Sequence, residues 1–225
     1  MANEEHLRIL REGIASFNDW RKRNPKIRPD LGDADLHYMD LRGADLSHAR
    51  LAEANLMGAN FSGADLTGAR LERANLLGTD LSKANLTHAA LDDAKASFEV
   101  LTESERACFF EIAGPKHLQV NFTAATLEHA NLRMANLPKA IFIRANLSVA
   151  DLSGARLDEA NFLEANLFRA DFSKATSAEA NFEAADLRLV KGVKLDSAFI
   201  RNAKLSPYAS DPWSVLRRNY TGPSL

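Results

Sequence analysis

Large apolar residues recur every five positions along most of this 225-residue chain, and that period predicts an all-β solenoid of square coils. Three observations carry the prediction. First, the large residue of each repeat is Leu or Phe, as in Leu31, Leu36, Leu41, Leu46, Leu51, Leu56, Phe61 and Leu66. Second, alanine stands two places before most of these centres, as at Ala44, Ala49, Ala54, Ala59 and Ala64. Third, the residues between and after them are Asp, Asn, Ser, Thr, Arg, Glu or Gly.

A five-residue period suits neither a helix, whose apolar residues fall three and four apart, nor a plain alternating strand. An Ala-x-Leu segment places both apolar side chains on one face of a short extended stretch. The other two residues of each repeat must then turn the chain. If each turn is near a right angle, four repeats close a coil with Ala and Leu inside, and coils stack at about 4.8 Å. A side chain larger than alanine at the small position would overpack that interior.

The motif A(D/N)LxG, seen in Ala44-Asp45-Leu46 and Ala64-Asp65-Leu66-Thr67-Gly68, resembles that of the pentapeptide-repeat family. The resemblance covers residues 31–95 and 121–205, about thirty repeats. It implies a right-handed quadrilateral β-helix. The regions so defined are an N-terminal cap and linker (1–30), a first repeat block (31–95) and an interruption (96–120). A second block (121–205) follows, shifted in register near 190, and then a tail (206–225).

Residues twenty apart should share a face on neighbouring coils. Phe122, Phe142, Phe162 and Phe182 then form an internal stack. Asp45 with Asp65, and Asn146 with Asn166, bond locally at turns and are structural. The outward apolar residues are more telling. Ile141, Ile143 and Leu163 project from the phenylalanine face, Val149, Phe168 and Leu189 from the next, and Met57 and Leu77 from the first block. Such patches mark contact surfaces unless a non-repeat segment covers them, and cover is expected for at least one.

Three segments are not repeat. Residues 3–23 read as one amphipathic helix with Leu7, Leu10, Ile14, Phe17 and Trp20 on a stripe, capped by Asn3 and stopped by Asn24-Pro25. It should cover the open end of the first coil. Within 96–120, Thr102 and Glu105 make a capping box for a short apolar helix that carries Phe109 and Phe110, ended by Gly114-Pro115. This segment either packs on the solenoid or projects for recognition. Because it shifts the five-residue register by one, it is expected to replace coil rather than enter cleanly between repeats. The tail holds Tyr208, Trp213, Val215, Leu216 and Tyr220, and either caps the last coil or joins a second copy in a homodimer.

No chemistry is legible. No CxxC, HExxH or nucleophile elbow occurs, and Gly58, Gly63 and Gly68 recur as turn residues rather than a phosphate loop. His48 and His88 share a face two coils apart, about 10 Å, and His129 has no companion at ligand spacing. No catalytic, cofactor or metal residues are therefore expected. A net charge of −2 argues against direct nucleic-acid binding. One cysteine, Cys108, with no membrane-length apolar run and no signal-like leader, points to a soluble protein of a reducing cytoplasm.

The reading is a non-enzymatic module that binds another protein. Its candidate surface residues are Phe109, Phe110, Ile141, Ile143, Leu163, Phe168 and Trp213. The resemblance also implies an alternative, a gyrase-binding DNA mimic like the quinolone-resistance pentapeptide proteins. Charge speaks against it: block 31–95 carries ten acidic and six basic residues, and block 121–205 ten and eleven.

Overall fold

Residues 1–96, 119–195 and 197–206 are described by a computed structural model of the chain. Among them the repeats stack as coils. Each repeat pairs one residue, the one before its centre, with its counterpart on the next coil in parallel register, as in Asp45↔Asp65↔Asn85 and Asn161↔Asn181. The pairing is one residue deep on each side, so no extended strand forms among the described residues.

A complete account of the backbone N–H groups explains this architecture. The centre N–H donates to the next coil (Leu46 to the Asp65 carbonyl, 2.8 Å), and the pairing residue donates back (Asp65 to Ala44, 2.9 Å). The second turn residue also reaches the next coil (His48 to Thr67, 2.8 Å), and alanine closes the turn on its own centre (Ala49 to Leu46, 3.0 Å). One N–H remains, that of the first turn residue. Asp or Asn before the centre accepts it through Oδ1: Ser47 to Asp45 at 3.2 Å, Thr67 to Asp65 at 2.9 Å and Phe168 to Asn166 at 3.1 Å. The repeat's Asp/Asn preference thus has a hydrogen-bonding cause, as the sequence suggested for Asp45, Asp65, Asn146 and Asn166, although Arg50, Arg70, Ala90, Lys95 and Thr126 also hold pairing positions.

Each corner is a type II turn whose second residue has φ near +60°, for example His48 (+58°), Arg144 (+58°) and Gly68 (+62°). Glycine fits there without strain. Its recurrence also makes room, because the His48 ring lies against Gly68 where a Cβ would stand.

The interior is a dry column of Ala and Leu, nearly all of it fully buried. Phe122, Phe142, Phe162 and Phe182 form the expected stack, with centroids 4.8, 4.8 and 4.9 Å apart and planes within 5° of parallel. That spacing is the one set by the backbone pairing. Phe172 wedges edge-on against Phe162 and Phe182 at 5.8 and 6.0 Å. Ser177, the one off-type centre between Phe122 and Leu187, is buried and donates its hydroxyl to the Lys194 carbonyl at 3.0 Å.

The N-terminal cap is two helices rather than one: α1, Glu4–Arg11, and α2, Ile14–Arg23. Gly13, at φ 121° and ψ 158°, breaks the stripe because glycine alone takes that conformation readily. Asn3 caps α1 through Oδ1 to the N–H groups of Glu5 and His6, and α2 stops at Asn24.

The cap supplies the groups that a preceding coil would have offered. Asn3 N–H donates to the Asp30 carbonyl, Asp45 N–H donates to Asn18 Oδ1, and Asp30 N–H donates to His6 Nδ1. Burial pushes the His6 imidazole below its usual range, which keeps it a neutral acceptor. Arg21, 5% exposed, reaches the Ile27 and Ser47 carbonyls and lies 3.5 Å from the Asp45 carboxylate.

The pairing crosses the interruption without losing a rung. Asn75 pairs with Lys95, Asp80 with Asn121, and Asn85 with Thr126. Asn121 bonds Asp80 across 41 residues, where the same contact elsewhere spans 20. The expectation that the interruption replaces coil is therefore corrected. The extra residues lengthen one turn, between Ala96 and Val120, both of which are buried in the column. The helix expected near 102–113, with Phe109 and Phe110, lies outside the described residues, as does the tail with Trp213. Near 190 the register does shift: Asp171 pairs with Lys191, but Asn181 pairs with Phe199.

Replacing Ala145, 1% exposed, by Leu adds three carbons to a filled column. It should lower stability by about 1–3 kcal/mol, read as a lower urea midpoint at unchanged m-value.

Candidate interaction surface

The face map fixes where each predicted residue sits. Ile141 occupies a pairing position, between Asn121 below and Asn161 above. Ile143 and Leu163 follow at the next corner, and all three are half-buried. Phe168 lies one corner further, beside Val149 (40% exposed) and Leu189 (52%). The structure thus gathers these residues on two successive corners, separated by the polar column of Asn146, Asn166 and Asp186. Met57 and Leu77, the other outward pair, are buried at 8% and 1% and present no exposed patch.

Ile141 is the anomaly of its column. The other pairing residues there are Asp40, Asn60, Asp80, Asn121, Asn161 and Asn181, until Phe199 at 65% exposure. Asn161 Oδ1 accepts the Leu163 N–H at 3.0 Å and Asn181 Oδ1 the Glu183 N–H at 2.9 Å. An isoleucine side chain can accept nothing, so the sequence gives up a turn bond to present an apolar side chain at mid-face.

The second corner couples apolar and cationic groups. The guanidinium groups of Arg188 and Arg169 sit 5.6 and 5.8 Å from the centroid of the Phe168 ring. Arg188 also bonds Asp186 at 2.6 Å, and Arg144 bonds Glu164 at 2.7 Å on the coil above. These bonds hold the Asp186 and Glu164 carboxyls below the usual carboxylate range. Both are proton-free at neutral pH and neither can serve there as a general acid. Glu164, Asn166, Phe168, Asp186, Arg188 and Lys204 line a shallow concavity of about 570 Å³ on the face between the corners.

Some exposed groups were not legible from the sequence. Met134 (61% exposed) and Phe199 stand outside the predicted set. Phe199 becomes visible once the face map is carried through the register shift. Likewise His129 was read as lacking a companion. It stacks on His88 with centroids 5.0 Å apart and planes 20° from parallel, because the lengthened turn brings the two onto neighbouring coils. Among the described residues no group of three or more His, Cys, Asp or Glu could hold a metal, and no helix is long and apolar enough to cross a membrane.

Comparison with known proteins agrees with this geometry. A sequence model of pentapeptide repeats matches residues 30–68, 59–95, 121–157 and 145–188. The chain belongs to the pentapeptide-repeat family, and its solenoid is the right-handed β-helix of that family. Similar solved structures include full-length QnrB1, a plasmid-mediated fluoroquinolone resistance protein: 20% identity, 84% of this chain and 89% of that one covered, TM-score 0.34. Another is HetL, involved in heterocyst differentiation regulation in the cyanobacterium Nostoc sp. strain PCC 7120: 24% identity, 85% and 97% covered, TM-score 0.29. A third is a thylakoid-lumen pentapeptide-repeat protein of Arabidopsis thaliana: 24% identity, 55% and 65% covered, TM-score 0.27. No curated protein matches the chain.

Exchanging Ile141 for Asn restores the missing turn bond and removes only a half-buried side chain. Its stability should stay unchanged or rise by up to about 1 kcal/mol, whereas Asn161→Ile should cost about 1 kcal/mol. Urea denaturation of both variants decides. A marked loss for Ile141→Asn would make Ile141 a packing residue instead.

Proposed function

We propose that this chain is a non-catalytic module that binds another protein through the Ile141 face and the Phe168 corner. The observation that supports it most is Ile141, a half-buried apolar side chain on a pairing column otherwise held, from Asp40 to Asn181, by Asp or Asn. A stacked solenoid holds such side chains at fixed spacing, so contact costs little ordering. The mixed character of the corner, Phe168 flanked by Arg169 and Arg188, suits a partner that offers both apolar and acidic groups.

A DNA-mimic reading, with gyrase as partner, has less support. It needs a continuous acidic stripe, and the described columns do not supply one. Asp45 and Asp65 give way to Asn85, Thr126, Asn146 and Asn166. The acidic corner of Glu53, Glu72, Asp92 and Asp93 is interleaved with Arg50, Arg70 and Arg73. Arg73 pairs with Glu53 and Arg70 with Glu72.

Affinity capture from a bacterial lysate, with the intact chain and the double variant Ile141→Asn/Phe168→Ser, tests the proposal. A protein retained by the intact chain and lost by the folded variant is the expected result. A partner retained equally by both would place the contact elsewhere, and purified gyrase retained by both would favour the mimic.

A further inference from the structure

The stacked pair of His88 and His129 lies on the same corner as Phe168, with His129 one coil below Val149, and its two imidazole rings are not used by the proposed contact. Both residues are the second residue of a type II turn, at φ 58° and 57°, and both are exposed. Their backbones are fixed on either side. Asn85 pairs with Thr126, Ala90 pairs with Asn131, and the His88 N–H donates to the Glu128 carbonyl at 3.0 Å. Two imidazoles therefore leave one corner in the same direction, one coil apart, from a frame that cannot slide.

We propose that His88 and His129 form a chelating site for a borderline divalent transition metal such as nickel(II), copper(II) or zinc(II). Imidazole is the side chain these ions share as ligand. Metal–nitrogen bonds of about 2.0–2.1 Å put two neighbouring ligating nitrogens roughly 3.4 Å apart in the tetrahedral shell of zinc(II) and roughly 2.9 Å apart in the square or octahedral shell of copper(II) or nickel(II). The ring centroids stand 5.0 Å apart, so the exposed rings need only tilt toward each other about their side-chain torsions. No third His, Cys, Asp or Glu joins them among the described residues, so solvent completes the shell and the ion exchanges readily.

The other described histidines are placed differently. His6 accepts from Asp30, His37 lies 2.6 Å from the Asp35 carboxylate, and His48 lies against Gly68. The pair depends on the length of the lengthened turn, because Gly68 is the neighbour of His88 on the other side.

Calorimetric titration of the full chain with nickel(II) at about pH 7.5 tests the site. The expected result is one saturable event that His88→Ala and His129→Ala each weaken by about tenfold or more, through loss of the chelate advantage, while His48→Ala leaves it unchanged. Circular dichroism of each variant should match the intact chain. In the intact chain, with no substitution, copper(II) should broaden the imidazole resonances of His88 and His129 together and before those of His48. Affinity kept within about twofold in either single variant, equal loss in His48→Ala, or no saturation below about 1 mM metal would overturn the site.

Discussion

The distance between coils is the constraint on which the rest of this molecule depends. Every repeat sends backbone bonds to the coil above and below, which holds the coils at strand spacing, and each side chain inherits that spacing. Inside, it sets the Phe122–Phe142–Phe162–Phe182 stack at 4.8–4.9 Å and leaves the leucines small neighbours, alanine in nearly every slot with Thr79 and Val120 as the buried exceptions. Outside, it lines up ion pairs from coil to coil, such as Lys139 with Glu159 and Arg144 with Glu164. Those pairs are exposed and add little stability individually. The backbone bonds and the buried column hold the structure.

Much of this was legible because the repeat is short and each position has one physical task. Apolar centres, alanine spacers, Asp or Asn before the centre and Gly at several corners could be assigned from a handful of repeats. What was not legible depends on where the chain closes in space. Gly13 splits a stripe that reads as one helix, since periodicity alone does not register a backbone break. The lengthened turn reads as a register slip, although Asp80 and Asn121 meet as any neighbours do. For the same reason His88 and His129, far apart in linear spacing, stand side by side. Of the predicted surface residues, Ile141, Ile143, Leu163 and Phe168 fall on two successive corners. Phe109, Phe110 and Trp213 lie outside the described residues.

Departures from the repeat are what the folding rules leave unexplained. A position that obeys the rule is explained by folding: Asn161 is there to accept a turn N–H. Ile141 breaks that rule with no bond in its place, whereas Ser177, polar at an apolar centre, is accounted for by its own bond to Lys194. The distinction separates side chains the fold requires from side chains it merely displays. It also locates the proposed surface in the second block, past the lengthened turn.

The central claim is that the coil pairing of residues up to 96 continues without a missing rung into residues from 119 on. Deleting 97–117 leaves Leu118 and Gln119 as the two turn residues between Ala96 and Val120, the number used by the described corners between residues 31 and 190. The account predicts a chain with the same β-rich circular dichroism per residue and one cooperative unfolding transition. Loss of the β signal, or two separate transitions for the two blocks, would contradict it.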